Sequence, residues 1–289
     1  MRDRLVRGTA MGGRVRAIAA STRELVEHLH RNHQTSAVVS AALGRTATMG
    51  AIMGSMLKGD ERVTIQVRGD GPIGKIIVDA NARGEVRGYA DYPQIDLPLK
   101  PNGKLDVSGA VGKGTIYVVK DLGMKEPYSG SVPIVSGEIA EDFTYYFAKS
   151  EQIPSAVALG VLVDVDYSIR AAGGFVIQVL PGLSDDEIGN IENRLTGIRP
   201  VTEMLDSGMQ PEEILKEVLP DFSLLEEMPV VHKCACSRER VEQTLISLGK
   251  EELDAMIRED HQAEVICHFC SKVYRFTREE LETLQKRMN

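Results

Sequence analysis

The chain has 289 residues, a formal net charge of −8, 43% hydrophobic and 5% aromatic residues, and no Trp. That length allows one substantial domain and a smaller one, and the composition is that of a folded soluble protein with an aliphatic core. The acidic balance argues against nucleic acid or an anionic membrane surface as the main partner.

The start, Met1-Arg2-Asp3-Arg4-Leu5-Val6-Arg7, is charged and no apolar run follows it, so the expectation is a cytoplasmic protein without a secretory signal. Leu5 to Ala20 reads as a hairpin turning at Gly12-Gly13. Ser21-Thr22-Arg23-Glu24 has the form of a capping box and opens a helix to about Asn32. His28, His30 and His33 on that helix do not share a face, which suits a solvated helix end better than a metal site. Ser36 to Leu57 is a nearly uncharged helix about as long as a bilayer span. Its small residues, central Arg45 and Gly50-x-x-x-Gly54 pair make it a buried helix of the soluble core.

A β region follows, with strands expected at Arg62 to Arg68, Ile73 to Asp79 and Glu85 to Ala90. Gly69-Asp70-Gly71-Pro72-Ile73-Gly74 matches G-x-G-x-x-G, but a dinucleotide site needs a helix to start there. Pro72 and an Ile-Ile-Val strand follow instead, so this is a turn. Asp91 to Gly103 is a Pro-rich loop, Thr115 to Lys120 and Gly130 to Val135 are strands, and Ser136 to Glu151 is a helix. Val157 to Val165 and Ser168 to Leu180 form a hairpin whose Asp164 and Asp166 are turn residues, with no His, Ser or Cys near them in sequence.

After Pro181-Gly182 the character changes. Three short helical patterns run from the capping box at Ser184 to Pro220, broken by Gly197, Pro200, Gly208 and Pro211. Helices this short need something to lean on. The domain division expected is therefore 1–180, an α+β domain of antiparallel sheets with packed helices; 181–231, a helical, metastable linker; and 232–289, a small zinc-binding domain. In that last part, helices run from Arg238 to Leu248 and from Glu251 to Glu259. A small hairpin reaches Lys272 to Phe276, and Thr277 caps a terminal helix.

The only four cysteines of the chain lie there: Cys234-Ala235-Cys236 and Cys267-His268-Phe269-Cys270, with thirty residues between the pairs. A tetrahedral four-thiolate zinc site places sulfurs about 3.8 Å apart, a separation that a C-x-x-C turn delivers. In C-x-C, side chains i and i+2 lie on one side of an extended segment, Cα atoms about 6.6 Å apart, and converge on one ion with less slack. Two chelating pairs with none left over favour a metal site over a disulfide in a reducing compartment. A thiol–disulfide catalytic pair and inert cysteines remain the alternatives, and His232 and His268 adjoin the pairs as possible substitutes. No Walker motif, Ser/His/Asp set or paired-carboxylate group stands out, so no enzyme is expected.

The order of these motifs, with Ala42-Leu43-Gly44-Arg45-Thr46, Val78-Asp79-Ala80-Asn81, Asp142-Phe143-Thr144-Tyr145-Tyr146 and Ala172-Gly173-Gly174-Phe175, resembles the redox-regulated heat-shock protein 33 family of holdase chaperones. The turn at Gly69 to Gly74 is similar as well, so the resemblance covers essentially the whole chain. It implies that Cys234, Cys236, Cys267 and Cys270 hold one Zn2+ per chain when reduced. Oxidation then releases the ion, with disulfides Cys234–Cys236 and Cys267–Cys270. It implies an oxidised homodimer and a reduced monomer, binding unfolding client proteins without ATP, nucleic acid or a membrane. Energetics agree: a 58-residue module would carry about 3–9 kcal/mol of stability, against about 10–16 kcal/mol from structural zinc in finger peptides. A released linker would present Met204, Leu205, Met209, Ile214, Leu215 and Met228, a Met-rich surface suited to promiscuous binding. The rival reading is a zinc ribbon that binds nucleic acid or a regulatory partner.

Overall fold

Alternating apolar and polar side chains drive much of this chain into antiparallel strands, and its long run of small residues into a helix enclosed by them. The structure, a computed structural model, describes residues 2–288. They divide into two compact units, one up to Lys233 and the other from Cys234 onward.

The first unit begins with β1 (Arg4–Ala10), β2 (Val15–Ser21), α1 (Arg23–His33) and α2 (Ala37–Ser55). Next come β3 (Arg62–Gly69), β4 (Lys75–Asn81), β5 (Glu85–Ala90), α3 (Val107–Val111), β6 (Gly114–Asp121), β7 (Tyr128–Pro133) and α4 (Ala140–Tyr146). It continues through β8 (Ser155–Val163), β9 (Ile169–Val179), α5 (Asp185–Gly197), α6 (Val201–Asp206) and α7 (Pro211–Val218) to β10 (Ser223–Pro229) and β11 (Val231–His232). One sheet runs β10-β1-β2-β9-β8 and the other β11-β5-β4-β3-β6-β7. All pairings are antiparallel except the short one between β11 and β5. The G-x-G-x-x-G stretch is the β3–β4 turn, as expected, with no helix behind it.

Helix α2 packs on β3, β4 and β5 of one sheet and on β2, β8 and β9 of the other. Of its residues only Ala37 and Arg45 escape full burial, so its bilayer-like length serves a protein core. A Cβ on Gly50 would stand 2.7 Å from Val78 Cγ1, and one on Gly54 2.7 Å from the Asn81 carbonyl, so both small residues are needed where the helix meets β4.

Two local expectations fail for an identifiable reason. Thr22 rather than Ser21 precedes α1, and neither caps it. The buried carboxylate of Asp3 accepts instead from Glu24 N at 3.0 Å and Leu25 N at 2.6 Å. Burial raises the pKa of Asp3 to about 6, although those two hydrogen bonds pull it down. The helix expected from Ser136 begins only at Ala140. The buried Asp142 carboxylate accepts from the amides of Val135, Ser136, Gly137 and Ile139 at 2.8, 2.8, 3.3 and 2.9 Å, wrapping those residues into a loop.

The stretch 181–231 holds the three expected helices and also a strand, β10, which the apolar pattern did not announce. Odd and even positions of the five-stranded sheet face two different cores. Leu5, Ile18, Ala20 and Val176 face α2 and the larger core. Val6, Ala17, Ala19, Phe175 and Ile177 face α5, α6 and α7, which contribute Ile191, Met204, Ile214, Leu215 and Val218. Strand β10 is almost wholly solvent-facing, with Leu224 47% and Leu225 69% exposed. It is held by its ladder to β1 and by ion pairs, Arg4 to Glu227 at 2.8 Å and Arg7 to Glu226.

The second unit contains α8 (Arg238–Ser247), α9 (Lys250–Ala255), β12 (Gln262–Ile266), β13 (Val273–Thr277) and α10 (Arg278–Lys286). Strands β12 and β13 form the expected hairpin, pairing from Gln262↔Thr277 to Ile266↔Val273. Its core consists of Leu245, Leu253, Ile257, Tyr274, Phe276, Leu281 and Leu284. That is little apolar material for a free-standing unit.

Candidate metal centre

Cys234 and Cys236 lie on the irregular segment between β11 and Ser237, whose hydroxyl caps α8 by accepting from Arg240 N at 3.3 Å. Cys267 and Cys270 lie on the turn after β12. The Cys267 carbonyl accepts from Ser271 N at 2.8 Å, and Cys267 N donates to the Lys272 carbonyl at 3.0 Å. That closed turn presents two side chains to one side.

The two segments bring all four sulfurs within 4.8 Å of one another. Cys234 Sγ lies 3.7 Å from Cys267 Sγ, and Cys236 Sγ lies 3.3 Å from Cys270 Sγ. The first is close to the roughly 3.8 Å of a tetrahedral four-sulfur shell and the second is somewhat shorter. The cysteines are half-buried and none is in a disulfide. Soft sulfur without a carboxylate or imidazole is a donor set that fits a closed tetrahedral zinc site, so the residues fit the ion the spacing asked for.

Electrostatics say the same. Burial opposes a charge on Cys236, but hydrogen bonds from Tyr274 and the other three cysteines outweigh it and bring its pKa down to about 7. Burial pushes Cys267 and Cys270 up. Four thiolates this close would repel one another without a cation between them. Tyr274 Oη donates to Cys236 Sγ at 3.2 Å. Nothing in the sequence pointed to that tyrosine except its inward-facing position on an alternating strand.

Neither His232 nor His268 belongs to this candidate ligand group, which contains cysteines alone. His232 belongs to β11 and stacks on His28, ring centroids 4.1 Å apart. His30 is not the solvated residue expected; its Nδ1 sits 3.0 Å from the Thr35 carbonyl and secures the end of α1.

The model of the Hsp33 protein family matches residues 3–277. The chain belongs to the Hsp33 family. It is 53% identical to the 33 kDa chaperonin of Geobacillus kaustophilus, over 99% of this chain and 98% of that protein. It is 52% identical to the 33 kDa chaperonin of Bacillus subtilis, over 98% of each. The crystal structure of the 33 kDa chaperonin from Thermotoga maritima superposes with a TM-score of 0.94 at 37% identity, covering 99% of both chains. This member of the Hsp33 family is thus of a chaperone lineage, and these relatives are named as chaperonins rather than as enzymes.

Proposed function

We propose that the chain is a redox-regulated, ATP-independent holdase, silent when reduced and zinc-loaded and active when oxidised. The observation that carries this reading is the convergence of four sulfurs from two segments in a unit with a seven-residue buried core. Cys234, Cys236, Cys267 and Cys270 would hold one Zn2+. When bound, the ion cross-links the two segments and keeps four thiolates together without repulsion. At about 0.05–0.15 kcal/mol per residue, the unit from Cys234 on has about 3–8 kcal/mol of its own stability. Structural zinc contributes about 10–16 kcal/mol in finger peptides, so a unit that loses it should unfold.

The cysteines are also the sensor. In each pair the two thiolates give two electrons to one peroxide, which takes up two protons from solvent and leaves as two waters while a sulfur–sulfur bond forms. Cys234–Cys236 and Cys267–Cys270 are the bridges proposed. The contacts of the folded unit run across the pairs, but once the unit has opened, near neighbours are favoured. Closing a loop of about thirty residues rather than one of about three costs about 2 kcal/mol more. Linker 181–231 then detaches from the domain 1–180, uncovering apolar surface for unfolding clients, and the active form is a dimer. Light scattering of a heat-unfolded client tests the reading, with reduced zinc-loaded and oxidised zinc-free protein compared. Suppression by the oxidised form alone is expected; equal suppression by both refutes redox control.

A further inference from the structure

The stretch 181–231 carries three basic and twelve acidic side chains, a net −9, whereas the rest of the chain comes to +1. Essentially all the net charge of the protein therefore sits on the segment that covers one face of the five-stranded sheet. That face has an apolar floor of Val6, Val15, Ala17, Ala19, Phe175 and Ile177. Three arginines rim it, and each grips a carboxylate of the covering stretch with both carboxylate oxygens engaged. Arg4 reaches Glu212 at 2.7 and 2.8 Å. Arg14 reaches Glu187 at 2.9 and 3.2 Å, and Arg170 reaches Asp206 at 2.6 and 3.1 Å. The carboxylates stand among the apolar anchors: Asp206 follows Met204, and Glu212 precedes Ile214 and Leu215.

We propose that this face selects client segments in which apolar residues are interspersed with Asp and Glu, and that 181–231 occupies it as an internal acidic stand-in for such a segment. The proposal rests on the holdase reading above. Its physics divides the labour between floor and rim. The floor supplies affinity by burying apolar side chains and is indifferent to their order. The rim supplies discrimination, because a guanidinium fork matches a carboxylate in geometry and repels Lys or Arg. Arg14 and Arg170 are about half exposed, so each pair with the covering stretch is a weak clip, of the kind that a client carboxylate can replace. The released stretch keeps its own net −9 and is repelled by the acidic client that replaces it.

The test uses two fluorescein-labelled peptides: residues 201–219 of the chain itself, and the same peptide with its five Asp and Glu residues replaced by Lys. Anisotropy measures their binding to the full-length oxidised, zinc-free protein. The acidic peptide should bind at least about tenfold more tightly at low salt, and the gap should close near 0.5 M salt, roughly where screening reaches contact distance. The reduced zinc-loaded protein, its face covered, should bind neither. In an Arg14→Glu/Arg170→Glu variant the preference should shrink or reverse. Equal affinity for both peptides, or no binding of either by oxidised protein that still suppresses client aggregation, overturns the proposal. Failure of the holdase reading shows separately, as equal suppression of aggregation by reduced and oxidised protein.

Discussion

Leu215→Ala is the perturbation that separates the release of the linker from the oxidation proposed to cause it. Leu215 lies on α7, is fully buried, and belongs to the cluster that joins α5, α6 and α7 to the sheet. Helix α7 is eight residues long and is marginal without that contact. Truncating a fully buried leucine costs about 2–5 kcal/mol. Taken up by the local opening equilibrium of 181–231, that loss raises the open population about 30-fold to several thousand-fold. The variant, reduced and zinc-loaded, should suppress aggregation of a heat-unfolded client without oxidant, and limited proteolysis should cut it between residues 181 and 231. A variant that stays silent and protease-resistant there, with only its Tm lowered, would refute the idea that the linker covers the working surface.

Other outcomes follow from single residues. Gly50→Ala would place a Cβ 2.7 Å from Val78 Cγ1, so it should cost about 1–3 kcal/mol, read as a lowered Tm. Tyr274→Phe removes a hydrogen bond to Cys236 Sγ and should weaken zinc binding about tenfold in a chelator competition. Asp3 has a folded-state pKa of about 6, above its ordinary value of 3.8. The folded state therefore binds that proton more tightly, and stability should rise on acidification from about pH 7 toward pH 4. The difference in unfolding free energy between wild type and Asp3→Asn should change by at most about 1.4 kcal/mol per pH unit, and a flat difference would contradict it. Disulfide mapping by mass spectrometry should find Cys234 joined to Cys236 and Cys267 to Cys270; bridges across the pairs, Cys234 to Cys267 or Cys236 to Cys270, would refute the pairing proposed.

The cysteine cluster was legible because metal ligands come in short-range pairs, and a C-x-C and a C-x-x-C declare their geometry locally. The strands of β3 to β5 and the buried α2 were legible from period and composition. What escaped were features decided by partners far away in sequence. Asp3 caps a helix twenty residues on, and Asp142 gathers amides that precede it, so Ser21 and Ser136 misled the reading of both helix starts. Strand β10 escaped because it pairs with β1, more than two hundred residues earlier, while Leu224 and Leu225 stay exposed and leave no alternation to read. The sequential acidity of 181–231 becomes informative only once Arg4, Arg14 and Arg170 are seen opposite it.

Hydrogen exchange across 234–289 under reducing conditions, with and without a zinc chelator, tests the central claim most directly. If one ion holds this unit folded, its amides should be protected with zinc and exchange at near unfolded rates once the ion is removed, while β3 and β4 stay protected throughout. Protection of β12, β13 and α10 that survives complete removal of zinc would contradict the account.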